Sequence, residues 1–231
     1  MRVAPKSTLL RYDAVLLDID GTLVDSNAAH AAAWSDAFAA HGRRHSPEEI
    51  RPLIGMGGDK LLRELASLDD ESGEGQAITK ARTEIFKARY LPTLTPTSGA
   101  AALVQWLLNS RLAVVVATSA KQEELTALLT ICGGQALVEG ATTSDDAERS
   151  KPDPDILAAA LQKSGASPDR AVMVGDTPYD IEAARRAGLA TIAFRCGGWE
   201  DASLRGAIAI YDDPRELLEH LNESPFYSEA F

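Results

Sequence analysis

Residues 18–26 read DIDGTLVDS and follow the apolar run AVLL at residues 14–17. Asp20-Gly21 after such a run is an ordinary turn signal, because an Asp there can hydrogen-bond its own backbone. That reading gives no reason for Asp18, which stands at the apolar end of the run, where an unpaired carboxylate is costly. Asp18 needs a cation or a chemical task. Two further apolar runs end in polar groups: Thr118 and Ser119 close VVVATS, and Asp176 closes VMVGD with Asp180 one helical turn on. Lys151 precedes Pro152 in RSKPDPD. Alone it reads as a surface residue; beside several carboxylates its charge would pair them and hold a phosphoryl oxygen.

These groups converge only if the runs are strands of one parallel sheet, where ligands bind outside the carboxyl ends. The runs at 14–18, 112–118, 171–176, 190–194 and 207–211 are apolar at nearly every position, as strands buried on both faces are. Each is followed by a helix-like segment or a turn, which predicts an open α/β fold with a Rossmann-like parallel sheet and right-handed crossovers. Pro152 and Pro154 are expected to keep the Lys151 segment extended ahead of the helix DILAAALQKSG.

Residues 26–95 break the alternation. NAAHAAAWSDAFAAHG carries Ala, Trp and Phe at helical spacing before a C-capping Gly42, and DKLLRELASL and AITKARTEIFKARYL read as amphipathic helices. LPTLTPTSG then reads as a linker back to the sheet. The expected organisation is a core of residues 1–25 and 96–231 with a helical cap at 26–95, either a lid over the strand ends or decoration.

The 231 residues are 45% apolar and 25% charged, which gives ample core material and no membrane span. The N-terminal 20 residues lack a cleavage site after their short apolar stretch and so fail as a secretory signal. Two cysteines, Cys132 and Cys196, form no metal-type spacing, and free thiols in a cytoplasmic protein are the simplest reading. With 23 Lys plus Arg against 34 Asp plus Glu, the net charge of −11 and the lack of a basic stripe argue against nucleic acid. Gly42–Arg44 reads as a solvated helix end.

Taken in order, DIDGTLV at 18–24, the hydroxyl at Thr118, Lys151 in KPDPD and GDTPYD at 175–180 resemble the four motifs of the haloacid dehalogenase-like superfamily. The resemblance spans essentially the whole chain and implies the same fold, with a helical cap after the first strand. It implies Asp18 as the nucleophile that forms an aspartyl-phosphate, and Asp20 as the general acid and base. Superfamily dehalogenases do not keep Asp at the second position, so Asp20 favours phosphoryl transfer. Mg²⁺ would be held by Asp18, the Asp20 carbonyl and Asp176. Asp180 would orient Lys151 or a metal-bound water, or be only a first-turn acid complementing its helix dipole. Thr118, and as an alternative Ser119, would bind phosphate.

Within the superfamily, His30 followed by Trp34 is similar to β-phosphoglucomutase and to sugar-phosphate phosphatases, where the His supports the acid-base Asp; otherwise His30 is an ordinary helix residue. IGMGGDKLL at 54–62 matches the cap's substrate loop, with Gly57 and Gly58 as expected substrate-binding positions. Mutases carry an Arg where this chain has Gly58, so hydrolysis is favoured over mutase action. Lys60 is expected on a helix surface, with partial compensation for the missing Arg, or a Schiff-base role as in phosphonate-cleaving relatives, as alternatives. The expected substrate is a small phosphorylated metabolite such as a sugar phosphate or phosphoglycolate, and the expected assembly a monomer or small homo-oligomer. A β-phosphoglucomutase-like phosphotransferase and a non-catalytic metal- or phosphate-binding regulatory module are the alternatives.

Overall fold

The computed structural model describes residues 9–228; residues 1–8, part of the stretch weighed above as a secretory signal, and residues 229–231 lie outside it. Five strands, β2 (Ala14–Leu17), β3 (Ala113–Val116), β4 (Ala171–Gly175), β5 (Ala190–Phe194) and β6 (Ala209–Tyr211), form a parallel sheet in the order β3-β2-β4-β5-β6. The strands follow the apolar runs because each residue faces one of two covered sides. Val15, Leu17, Val172 and Val174 pack against α5 (Ala100–Asn109) and α6 (Gln122–Ile131). Ala14, Leu16, Ala171 and Met173 pack against α7 (Asp155–Ser164) and α8 (Pro178–Ala187). Burial of a Leu of this kind contributes about 1.5–3 kcal/mol, so helix cover on both faces is what holds the sheet.

Register brings the polar strand ends level. Leu17 pairs with Val116 on one side and Val174 on the other, so Asp18, Ala117 and Gly175 stand level at the carboxyl end of the sheet. The Asp18 N–H still donates to Val174 O at 2.9 Å. A short antiparallel pair, β1 (Leu9–Leu10) with β7 (Tyr227–Ser228), was not anticipated, since two-residue strands carry no readable period.

Between β2 and β3 the cap is helical: α1 (Asn27–Ala40), α2 (Pro47–Ile50), α3 (Gly58–Ala66) and α4 (Gly73–Ile85), the last continuing through a π-helical turn to Tyr90. Ala31, Trp34, Phe38, Ile50, Leu61, Leu62 and Ile78 give the cap its own small core. Gly42, at φ +77°, ends α1 in the left-handed conformation that an L side chain disfavours. α4 begins four residues before its apolar pattern, because Ser72 Oγ accepts from Gly75 N–H and caps it.

The two linkers to the cap are tied to each other. Val24 and Pro96 form an antiparallel bridge, flanked by Asp25 N–H to Thr95 O and Thr97 N–H to Leu23 O, both 3.0 Å. The Lys151 segment differs from expectation. It turns rather than extends, with Asp153 N–H bonded to Ser150 O at 3.0 Å, and α7 starts directly after Pro154. The turn lets a side chain from a surface loop reach inward to the strand ends.

Candidate active site

Asp18 leaves β2 as a buried carboxylate, and Lys151 meets it. The Lys151 ammonium, only 1% exposed, donates to Asp18 Oδ1 and Asp180 Oδ1 at 2.7 Å each and to Ala117 O at 2.9 Å. Its three donors are thereby used. Burial alone would lower the lysine pKa, but the two carboxylates outweigh it and hold the ammonium charged above its ordinary range. Asp180 makes contacts on both oxygens, one to Lys151 and the other within its own helix cap. Oδ1 holds Lys151, while Oδ2 accepts from the Thr177 N–H at 3.0 Å and hydroxyl at 2.7 Å in the capping box of α8.

Asp176 lies across from Asp18, and the Thr22 hydroxyl sits between them, 2.9 Å from Asp176 Oδ1 and 3.2 Å from Asp18 Oδ2. Asn27 Nδ2 donates to Asp176 Oδ2 at 2.9 Å. Burial, with Asp180 nearby, pushes the Asp176 carboxyl up to about 7, against the Thr22 and Asn27 hydrogen bonds. Burial also raises Asp18 well above the ordinary carboxylate range, Lys151 opposing it and the neighbouring carboxylates adding to it. Gly21, at φ +78°, permits this crowding: a Cβ there would lie 2.1 Å from Asn27 Nδ2 and 2.3 Å from Asp176 Oδ2.

These residues fit a hard divalent cation. Asp18, Asp176 and Asp180 offer carboxylate oxygens all within 4.8 Å of one another, and Lys151 neutralises only one of the three charges. Each of the three carboxylates accepts at both oxygens, Asp18 from Lys151 and Thr22, Asp176 from Thr22 and Asn27, and Asp180 from Lys151 and Thr177, so a cation would share its oxygens with these donors. The Asp20 carbonyl takes no part in its turn's backbone bonds, which run from Gly21 N–H to Val24 O and from Val24 N–H to Ile19 O. It remains available as a further oxygen.

The Asp20 carboxylate points elsewhere. Its Oδ1 accepts from Ser26 Oγ at 2.6 Å and meets His30 Nε2 at 2.7 Å, while Oδ2 takes no bond among the described residues. Burial opposes ionisation of Asp20, but His30, Ser26 and Arg82 outweigh it and hold the carboxyl below its usual range. Behind His30 stands Arg82, which contacts His30 Nδ1 and donates to Glu124 Oε1 at 2.7 Å. Thr118 is fully buried, and its oxygen accepts the Ala120 N–H at 3.0 Å, which leaves the hydroxyl proton to donate. Ser119 instead reaches Gly55 O of the cap at 3.4 Å.

The cap sits over these groups and forms with the core a cleft of about 960 Å³, open to solvent at its rim and lined by Asp18, Asp20, His30, Thr118, Ser119, Gly57 and Gly58 among others. Gly57 lets the cap loop approach the Lys151 segment, since a Cβ there would fall 2.1 Å from Ser150 Oγ. A Cβ at Gly58 would lie 3.0 Å from Trp34 Cζ2. Lys60 is not on an open helix surface as expected. Its ammonium is bonded to Ser150 O and Asp153 Oδ2 at 2.6 Å each, because the first turn of α3 docks on that loop. Thr22, Asn27, Arg82 and Glu124 were not singled out by sequence; Thr22, within DIDGTLV, had a signal that could have found it.

The chain matches the family described as Haloacid dehalogenase-like hydrolase over residues 15–194. It is 30% identical over 212 residues to a phosphoglycolate phosphatase of Pseudomonas syringae pv. syringae, covering 88% of this chain and 78% of that one. It is 28% identical over 219 residues to an N-acetylmuramic acid 6-phosphate phosphatase of Pseudomonas aeruginosa, covering 93% and 97%. The crystal structure of a hydrolase from Pseudomonas syringae superposes with a TM-score of 0.86 at 30% identity, covering 94% of this chain and 100% of that one. With a family match over most of its length and the buried Asp18–Lys151–Asp176–Asp180 cluster at the strand ends, the chain belongs to the haloacid dehalogenase-like hydrolases.

Proposed function

We propose that the protein is a Mg²⁺-dependent phosphatase of a small phosphorylated metabolite, acting through an aspartyl-phosphate on Asp18. The observation that carries this reading is the pairing of two carboxylates in one cleft with different constraints: Lys151 holds Asp18 at Oδ1, while Asp20 is tied at Oδ1 and, among the described residues, untied at Oδ2. Asp20, held ionised in the free site, takes up a proton at Oδ2 when the negative charge of the phosphate lies beside it, and Asp18 attacks phosphorus as Asp20 Oδ2–H gives that proton to the departing oxygen. Asp20 then takes a proton from the water that attacks the phosphorus, and the Asp18 carboxylate is released. Thr118 donates to a phosphoryl oxygen, and Lys151 supplies positive charge beside it. Asp18, Asp176 and the Asp20 carbonyl would hold Mg²⁺, which neutralises phosphoryl charge in that space.

A cleft of about 960 Å³ favours a sugar phosphate over the much smaller phosphoglycolate. The relatives include a phosphatase of each class, one named for N-acetylmuramic acid 6-phosphate and one for phosphoglycolate, so the cleft volume carries this preference. Phosphate release from a panel of both classes with Mg²⁺ is expected to peak among sugar phosphates and to vanish with a chelator. Full activity in excess chelator would refute the metal requirement.

The geometry favours hydrolysis over mutase action. A mutase must retain a second phosphate while the intermediate reorients, and charge-assisted contacts for that contribute roughly 1.5–3 kcal/mol each. Here Trp34 fills the space over Gly58, and Lys60 is committed to Ser150 and Asp153. Given β-glucose 1-phosphate and a trace of the 1,6-bisphosphate, the protein is expected to release inorganic phosphate and form little glucose 6-phosphate. Accumulation of glucose 6-phosphate over many turnovers per phosphate released would overturn the hydrolase reading.

A further inference from the structure

A fully buried carboxylate and a largely covered guanidinium next to the site have no part in the scheme above. Glu124 is fully buried in the first turn of α6, on the core. Arg82, on α4 of the cap, lies over the Phe86 ring at 4.9 Å and the Trp34 ring at 5.8 Å, and His30 stacks on the same Phe86 at 4.2 Å. Burying such a pair is rarely a gain over apolar packing, so stability alone gives a poor reason for it. Their geometry supplies another.

A guanidinium has five N–H donors and no acceptor. Arg82 in contact with His30 Nδ1 therefore requires a lone pair on that nitrogen, and the ring proton must sit on Nε2. Nε2–H then donates to Asp20 Oδ1 at 2.7 Å, alongside the Ser26 hydroxyl. The opposite tautomer would set N–H against N–H at one end of the ring and lone pair against carboxylate at the other. With Oδ1 saturated, Oδ2 is the oxygen that can carry a transferable proton.

We propose that Glu124 and Arg82 are positioning residues for the proton transfer at Asp20, working through the His30 tautomer. The inference rests on the phosphatase reading. Glu124 on the core orients Arg82 of the cap, Arg82 fixes the proton on His30 Nε2, and His30 leaves Asp20 Oδ2 as the reacting oxygen. Both the Arg82–Glu124 and His30–Asp20 contacts join cap to core.

The tautomer is read directly from long-range ¹H–¹⁵N spectra of the histidine rings in the full-length protein. His30, assigned by comparison with His30→Gln, is expected to show a protonated Nε2 and an unprotonated Nδ1; a protonated Nδ1 overturns the proposal. In kinetics, Glu124→Gln is expected to lower kcat/KM about tenfold or more for a sugar phosphate, whose alkoxide leaving group needs a proton, and less than about threefold for p-nitrophenyl phosphate. On a His30→Ala background the same substitution is expected to have no further effect. Equal losses on the two esters, or an undiminished loss without His30, would mark Glu124 as merely structural. If Glu124→Gln does not fold, Glu124→Asp is read by the same ratio, and the wild-type tautomer still decides. A wild type that releases phosphate from neither ester overturns the phosphatase reading and this inference with it; an active wild type with equal losses overturns this inference alone.

Discussion

Asp18→Asn is expected to lower phosphate release on the order of 10³-fold or more, a barrier increase of about 4 kcal/mol, while leaving the protein folded. An amide is a poor nucleophile toward phosphorus and a weaker ligand for a hard cation. The fold should tolerate the change because Asp18 is a liability to it: burial and three neighbouring carboxylates act against its charge, with Lys151 opposing them. Lys151 keeps Asp180 and the Ala117 carbonyl as partners in the variant. In metal-free buffer the melting temperature is therefore expected to stay level or rise, the usual trade between activity and stability at a strained site. Near-normal turnover by a folded variant would remove Asp18 from the nucleophile's role.

Lys151→Met should have the opposite signature, with the largest effect on stability. It leaves Asp18 and Asp180 facing each other and Asp176 in the interior with no ammonium among them. Breaking a buried ion pair from one side costs about 3–5 kcal/mol. At about 2–4 °C per kcal/mol for a chain of this size, the melting temperature in chelator falls by roughly 6–20 °C. Adding Asp180→Asn should restore part of the loss. The pH dependence has a definite sign. Asp176, with a folded pKa of about 7 against an ordinary value near 4, costs stability as pH rises through that window, and carboxylates deprived of Lys151 shift further upward. The deficit should be smallest near pH 4 and largest above pH 7. A melting temperature unchanged at pH 7.5 would show that Lys151 does not neutralise the cluster.

The strands were legible because a sheet covered on both faces demands apolar residues at every position, and runs such as AVLL and AVMVG have few other uses. Asp18 and Asp176 were legible through the same logic, as polar groups at the ends of such runs, whereas Lys151, in RSKPDPD, was legible only as the cation those carboxylates need and through the motif it resembles. Asp180 gave two readings, and its two oxygens face different partners, Lys151 and the cap of its own helix. Arg82 and Glu124 could not be read. In sequence, one is a basic residue on an amphipathic helix and the other a first-turn acid, ordinary features of solvated helices. Their contact depends on how the cap rests on the core, and no local period encodes that. The same holds for Lys60, whose partners lie some 90 residues away.

The bridge between the two cap linkers limits how the cap can travel. Two separate peptide tethers would each contribute their own backbone torsions, and a body hung on them could tilt, slide and twist. Joined at Val24 and Pro96 and pinned by Asp25–Thr95 and Thr97–Leu23, they behave as a single narrow ribbon. A ribbon of this kind bends readily about one line across its width and resists shear within its plane. Lys60–Asp153, Arg82–Glu124 and Lys87–Glu123 join cap to core beyond the ribbon. A rotation of the cap about that line would strain these three ion pairs in concert, where separate tethers would let each part alone.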